Sequence, residues 1–285
     1  MIATNLEILA RRAFAVAYQF TGSVMDAEDI RQEVLLDWLE MDGRGETGRI
    51  EKPESYCRRA AANKSINLLK RRNREQYTGE WLPEPLMDDR AAVEAHADLS
   101  YGFVHLLSQL NAQERAVFIL RESLELPFNE IAEVVEIQED HARKLFQRSH
   151  ERLHAKGKPQ VVDLATQQRL VQAFMGAVGA GDLGAFKAVL REDVVVWSDG
   201  GGKRKAALNP IYGVENAFKF LVGITAKNIE AGMEYGFDLK FNGLELMLIL
   251  TDVKAGVIDT VAVFDIRDGV IENVYLQRNP DKLVG

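Results

Sequence analysis

Cysteine is almost absent. Cys57 stands alone in 285 residues, so no disulfide can close within the chain and no cysteine-rich zinc site can form, which fits a reducing cytosol. Read by itself, Cys57 is a small, half-buried apolar residue on a helix. Long apolar runs are missing too: no stretch approaches the roughly 18 uninterrupted apolar residues a membrane span requires. The opening MIATNLEILARRAF carries no apolar core followed by a cleavage site, so a soluble cytoplasmic protein is expected. From Val161 onward there is neither histidine nor cysteine, which leaves carboxylates such as Asp199, Asp238 and Asp252, or Tyr235, for acid–base chemistry near neutral pH.

What is present is a divided charge. The net charge of -8 argues against a generic nucleic-acid coat, but the sum hides its distribution. Between Tyr56 and Arg74 lie Arg58, Arg59, Lys64, Lys70, Arg71, Arg72 and Arg74 without one acidic residue. From Gly79 to Ser100 the balance reverses, with Glu80, Glu84, Asp88, Asp89, Glu94 and Asp98 against Arg90 alone.

Apolar residues recur at helical spacing from Leu6 to Glu40, as in Leu9, Ala13, Val16, Ala17 and Phe20, then Ile30, Val34, Leu35 and Trp38. Thr21-Gly22-Ser23 separates two helices there, and Asp26-Ala-Glu-Asp29 loads the first turn of the second with the negative charge its dipole favours. A polar, glycine-rich loop (Asp42 to Gly48) leads to Pro53, which opens a third helix carrying the basic run. The two prolines of Trp81-Leu82-Pro83-Glu84-Pro85 forbid helix and mark a linker.

A second helical block begins near Ala91. Asn111-Ala-Gln-Glu114 reads as a capping-box start, Pro127 breaks that helix, and two more follow, Asn129 to Val135 and about Glu139 to His154. Beyond Gly157-Lys-Pro159 the texture becomes mixed. A helix from about Val161 to Ala180, a strand at Val194 to Trp197 and a helix at Val214 to Val222 precede strands from Tyr235 to Gln277, punctuated by Asn242-Gly243, Ala255-Gly256 and Asp268-Gly269. Helices on one side of a curved antiparallel meander make a cone-shaped α+β domain, a shape with room for a small ligand.

The helices joined at Glu136-Ile137-Gln138 have helix-turn-helix spacing. Ile131, Ala132, Val135, Ile137, Ala142, Leu145 and Phe146 face inward, while His141, Arg143, Lys144, Gln147 and Arg148 face out, the amide and guanidinium chemistry that base edges and phosphates select. An ordinary αα-hairpin with a solvated face reads the same way, and Glu139 and Asp140 would repel phosphate where the helix enters a groove. On the basic helix, Asn63 and Asn67 add hydrogen-bonding groups among the cations, with Tyr56 able to stack. Two DNA-type surfaces around an acidic tether suggest a protein that touches DNA in two places. His150-Glu-Arg-Leu-His154 matches H-E-x-x-H, but its helix ends near Gly157 and no histidine follows, which argues against zinc hydrolysis. Asp199-Gly200-Gly201-Gly202-Lys203 lacks the spacing of a phosphate loop and reads equally as a hairpin-like loop or a docking site.

Leu9 to Trp38, with its Asp26-Ala-Glu-Asp-Ile-Arg-Gln32 core, resembles region 2 of the extracytoplasmic-function sigma factors. The basic helix is similar to the part that engages the promoter -10 element. Leu110 to Leu120, Glu130-Ile-Ala132 and Arg148-Ser-His-Glu-Arg-Leu153 resemble region 4, the reader of the -35 element. Trp81 to Pro85, Asp199 to Lys203 and Asn279-Pro280-Asp281-Lys282-Leu283 resemble three signatures of a subgroup with a SnoaL-like domain fused at the C-terminus, thought to govern polymerase binding and promoter activity. The chain departs from the family in holding Glu136 where the turn often has glycine.

The resemblance implies a multi-domain chain: residues 1–77 as region 2, 78–100 as an acidic linker, 101–158 as region 4 and 159–285 as a SnoaL-like cone with a curved antiparallel sheet. Its partners would be core RNA polymerase, through clamp and flap, and promoter DNA, with no membrane, metal or cofactor. Asp26, Asp29, Gln32, Glu33 and Leu36 would dock on polymerase. Arg58, Arg59, Asn63, Lys64, Asn67, Lys70 and Arg71 would meet the -10 element, and His141, Arg143, Lys144, Gln147 and Arg148 the -35 element. Trp81, Leu82, Pro83, Glu84 and Pro85 would make regulatory contacts with the two C-terminal signatures, and Glu84, Asp88 and Asp89 are expected to run through a cationic polymerase channel normally used by RNA. Two rivals stay open: a one-component ligand-responsive DNA-binding regulator, and a SnoaL-type enzyme fused to a DNA-binding module.

Overall fold

Serine, asparagine and aspartate side chains set the helix starts. In the computed structural model, which describes residues 2–72, 79–88, 99–154 and 160–283, α1 (Ile2–Thr21) ends before Gly22, and the Ser23 hydroxyl caps α2 (Val24–Gly43) by accepting the Asp26 amide. Pro53 opens α3 (Pro53–Arg72). The chain divides into two compact units, one of residues 1–75 and 103–158, the other of 76–102 and 159–285. Arg74, Asp89, the start of a helix near Ala91 and the Gly157 to Pro159 boundary lie outside the described residues.

In the first unit α1, α2 and α3 bury one shared seam of Leu9, Ala13, Phe20, Ile30, Val34 and Ala61. After α4 (Tyr101–Ser108) comes α5 (Ala112–Glu122), whose expected capping box is complete: Asn111 accepts the Glu114 amide and Glu114 accepts the Asn111 amide. The helix-turn-helix is α6 (Phe128–Val135) and α7 (Glu139–His154), with Ile131, Ala132, Val135, Ala142 and Leu145 buried between them. Glu136 caps α6 at φ 62° and ψ 49°. That left-handed conformation costs a non-glycine residue about 1 kcal/mol, which explains why the turn favours glycine.

The second unit begins with α8 (Leu164–Ala180) and α9 (Leu183–Lys187), then β1 (Leu190–Asp199), β2 (Ile211–Tyr212) and α10 (Val214–Glu230). Strands β3 (Tyr235–Phe241), β4 (Leu246–Asp252), β5 (Val257–Arg267) and β6 (Val270–Gln277) form the expected antiparallel meander. Asp268 at φ 51° and Gly269 at φ 79° make the positive-φ pair that a two-residue hairpin demands. The sheet order is β2-β1-β6-β5-β4-β3, and β1 joins β6 in parallel, a pairing with no local sequence signal because its partners lie far apart in the chain.

Alternation sorts the strands into two apolar faces. One, with Leu246, Leu248, Ala262, Phe264, Val274 and Leu276, is filled from α8, α9 and α10 by Phe174, Phe186 and Leu221. Gln167 ties α8 to the β3–β4 hairpin, donating to Leu244 O at 3.0 Å and accepting the Leu246 amide at 2.6 Å. The opposite face presents Met247, Ile249, Val261, Val263 and Tyr275, covered by Leu82 and Tyr101 from the linker segment and by Leu283.

Candidate functional site

The site is set by where residues 81–86 lie. They pass over the second apolar face, where Leu82 is fully buried. The Leu82 amide donates to Asp199 Oδ2 at 3.0 Å, while Leu82 O accepts from Lys282 Nζ at 2.7 Å and from Gln277 Nε2 at 3.2 Å. Gln277 also donates to Pro83 O at 2.9 Å, as does the Tyr101 hydroxyl at 2.9 Å. Asn242 Nδ2 holds Leu86 O at 3.0 Å. Proline-rich backbone exposes unpaired carbonyls, and this face supplies a donor to each of those named.

The two C-terminal signatures are joined to each other at the same place. Lys282 Nζ meets Asp199 Oδ2 at 2.7 Å, with side chains 9% and 0% exposed, and sits 4.3 Å from the Trp81 ring centroid, a cation–π contact. Burial pulls the Lys282 ammonium below its ordinary pKa, opposed by the attraction of Asp199. Lys203 pairs with Asp281 at 2.6 Å. A Cβ on Gly201 would lie 2.3 Å from the Asn279 side chain, and Gly201 itself is at φ 60°, so glycine is required twice over. Trp81 to Pro85, Asp199 to Lys203 and Asn279 to Leu283 thus form one clasp.

Sequence reasoning did not single out Gln277, Tyr101, Asn242 or the carboxyl pair below Tyr101. Glu245 Oε1 accepts the Tyr101 amide at 2.9 Å, and Asp265 Oδ2 accepts the Tyr275 hydroxyl at 2.7 Å. Desolvation, with Asp265 nearby, pushes the Glu245 carboxyl up to about 8. Desolvation raises Asp265 as well. A Cβ on Gly102 would meet the Asp265 carboxylate at 2.2 Å, so the segment approaches as closely as a backbone can.

The basic helix of the first unit is engaged along much of its length. Arg58 donates to Ser123 O, Arg59 meets Glu130 at 2.7 Å, and Lys70 meets Glu136 at 3.2 Å. Lys64 pairs with Glu33 at 3.0 Å and Asp37 at 3.1 Å on α2. Asn63, Asn67 and Arg71 are exposed. Arg115, missed in the sequence, fastens α5 to α1 by donating to Phe20 O at 2.7 Å and also to Ser108 O at 2.7 Å. Burial lowers its guanidinium to about 10.

On α7, His141, Arg143, Lys144, Gln147 and Arg148 all lie exposed. Arg143 pairs with Glu139 and stacks 4.8 Å from the Phe128 centroid, and Gln147 donates to Glu151 at 3.0 Å. Within α2, Asp29, Gln32, Glu33 and Leu36 are exposed, joined by Met25 and Leu39, which sequence reasoning left out. Asp26 is 7% exposed at the start of α2, where the helix dipole favours a carboxylate. Among the described residues no helix is long and apolar enough to cross a membrane, and no cluster of histidine, cysteine and carboxylate side chains could hold a metal ion.

Residues 6–75 match the sigma-70 region 2 family. The whole chain is similar to the "ECF RNA polymerase sigma factor SigJ" of Mycobacterium tuberculosis (strain ATCC 25618 / H37Rv), 29% identical over 310 residues, covering 100% of this chain and 94% of that protein. A "probable ECF RNA polymerase sigma factor SigI" of Mycobacterium tuberculosis (strain CDC 1551 / Oshkosh) is 26% identical over 191 residues, 64% of each chain. The crystal structure of Mycobacterium tuberculosis SigJ matches with a TM-score of 0.75 at 27% identity, covering 98% of this chain and 97% of that one. With a region 2 match, a helix-turn-helix and a clasped α+β domain in one order along one chain, this protein is similar over its whole length to an extracytoplasmic-function RNA polymerase sigma factor.

Proposed function

We propose that the chain directs core RNA polymerase to specific promoters and that its SnoaL-like domain regulates this in cis by holding the linker. The observation that carries the reading is the clasp: Asp199, Gln277 and Lys282 bind the backbone of Leu82 and Pro83, in the segment that a sigma factor needs while it spans polymerase. Asp29, Gln32, Glu33 and Leu36 would face the polymerase clamp, and residues 101–158 the flap and the -35 element. Arg58, Arg59, Lys64 and Lys70 would meet the -10 element once their partners within the first unit release them. Opening DNA there requires unstacking, a few kcal/mol per step, offset by phosphate contacts and capture of the exposed strand. Glu84, Asp88 and Asp89 would then occupy the cationic channel. The partners place the chain in the cytoplasm, and the SnoaL-like domain acts as a regulator and not as an enzyme.

Run-off transcription with purified core polymerase tests this, using the full chain, a chain ending near Lys158, and Asp199→Ala in the full chain. Altered polymerase affinity or transcript yield in both variants is the expected result. Unchanged transcription and affinity in both would overturn regulation in cis, and no association of any of the three with core enzyme would overturn the sigma activity.

A further inference from the structure

The meander ends at an open edge. Among the described residues, strand β3 pairs with β4 on one side only and closes the sheet order. Asn242 N donates to Glu245 O and Val253 N donates to Glu234 O, so the even-numbered positions of this strand bond to β4. By the alternation of an antiparallel ladder, Tyr235, Phe237, Leu239 and Phe241 turn their N–H and C=O groups away from the sheet. The Leu239 amide marks that outward row, satisfied at 2.8 Å by the side chain of its own neighbour, Asp238. Phe237 and Phe241 are 59% and 41% exposed on the helix-side face, opposite Leu250 and Leu246. Asp238 and Lys240 are exposed on the other face.

We propose that β3 pairs with the β3 strand of a second copy of this chain, antiparallel and two-fold symmetric about Leu239, so that two sheets become one. The registers centred on Asp238, Leu239 and Lys240 each keep the outward row bonded to its mate, and charge chooses among these three. Symmetry about Asp238 sets Asp238 against Asp238, and symmetry about Lys240 sets Lys240 against Lys240. Symmetry about Leu239 sets Asp238 against Lys240 twice and Phe237 against Phe241 twice. Leu239 then faces its own copy, and the pairs 239–239 and 237–241 exchange two backbone hydrogen bonds each. Charged residues on an edge strand ordinarily repel a neighbouring strand. Here the pair is spaced so that the same chain, inverted, is the neighbour it attracts, and the two aromatic rings that blunting would remove are retained.

Sedimentation of the full chain over a concentration series at low salt tests the proposal. A reversible monomer–dimer equilibrium is expected. Asp238→Lys alone and Lys240→Asp alone each turn two attractive cross-strand pairs into repulsive ones and weaken self-association about tenfold or more. An equimolar mixture of the two variants restores attraction at both pairs and forms a heterodimer, and both substitutions in one chain restore the homodimer. Both positions are exposed, so the variants keep the fold. A wild-type chain that stays monomeric up to about 0.5 mM, a dimer indifferent to both substitutions, or a mixture no more associated than its components would each overturn the proposal.

Discussion

The two halves of the molecule hold their charged groups by opposite physics. On α3 the cations are paired in the open: Arg59 and Glu130 have side chains 51% and 36% exposed, Lys70 and Glu136 44% and 78%. Such pairs contribute about 0–1 kcal/mol each and weaken with salt. In the clasp, Asp199 and Lys282 are shielded from water and share their hydrogen bonds with the Leu82 backbone. Breaking a pair of that kind strands a buried charge. The contrast teaches that the pairs on α3 can be exchanged one at a time by a competing ion, whereas the linker is freed only when several buried contacts are replaced together.

The sharpest way to break the comparison is Asp199→Ala. It leaves Lys282 buried without its counter-charge and the Leu82 amide without its acceptor, and should destabilise the clasp by about 3–5 kcal/mol. Hydrogen exchange at residues 81–86 should accelerate by more than a hundredfold while α1 to α3 keep their protection; equal protection in the two proteins would mean the clasp is held by Leu82 burial alone. Next in size is the pH dependence. The Glu245 carboxyl rises from 4.5 to about 8 on burial, so the folded state keeps a proton that the unfolded chain releases. Its contribution is most favourable below pH 4.5, falls as pH rises toward 8 with a slope of up to about 1.4 kcal/mol per unit, and is level above. Unfolding in urea at pH 6 and pH 8 should show the loss, and Glu245→Gln should flatten it.

Smaller effects are expected on α3. Glu130→Gln removes one exposed pair, worth about 0.2–1 kcal/mol, so affinity for a -10 single strand should rise no more than about fivefold. Raising salt toward 1 M should erase the difference between this variant and the wild type, by fluorescence anisotropy, with no effect on exchange in the clasp. The smallest change is Glu136→Gly. Relief of the left-handed backbone gains about 1 kcal/mol, less a few tenths for the lost Lys70 pair and the added freedom of glycine in the unfolded chain. A small rise in the melting temperature of the first unit is the readout.

The helical half was legible because its signals are local. Ser23, the Asn111 to Glu114 box, Pro53 and Pro127 each act within a turn of their own position, and the helices begin where those residues put them. The hairpin turns were legible for the same reason. The parallel seam of β1 and β6 was not, since nothing near Val194 says which strand it will lie beside. Convergence of the three signatures could be guessed only as a set, from resemblance, and its donors were invisible: Gln277 and Asn242 look like ordinary polar residues of a strand end and a turn until the linker carbonyls arrive. An acidic residue that begins a helix and one that meets a partner have the same spacing, and burial such as that of Asp26 is invisible in the sequence.

Separation along the chain gives the clasp an order of assembly. Leu82 O is bound by a lysine 200 residues later. At about 5–20 residues per second, a ribosome needs about 10–40 s to deliver that lysine after the linker has emerged. Throughout that interval a nascent copy holds its linker without the clasp, with α1 to α3 already made, so the clasp is among the last contacts the chain can form.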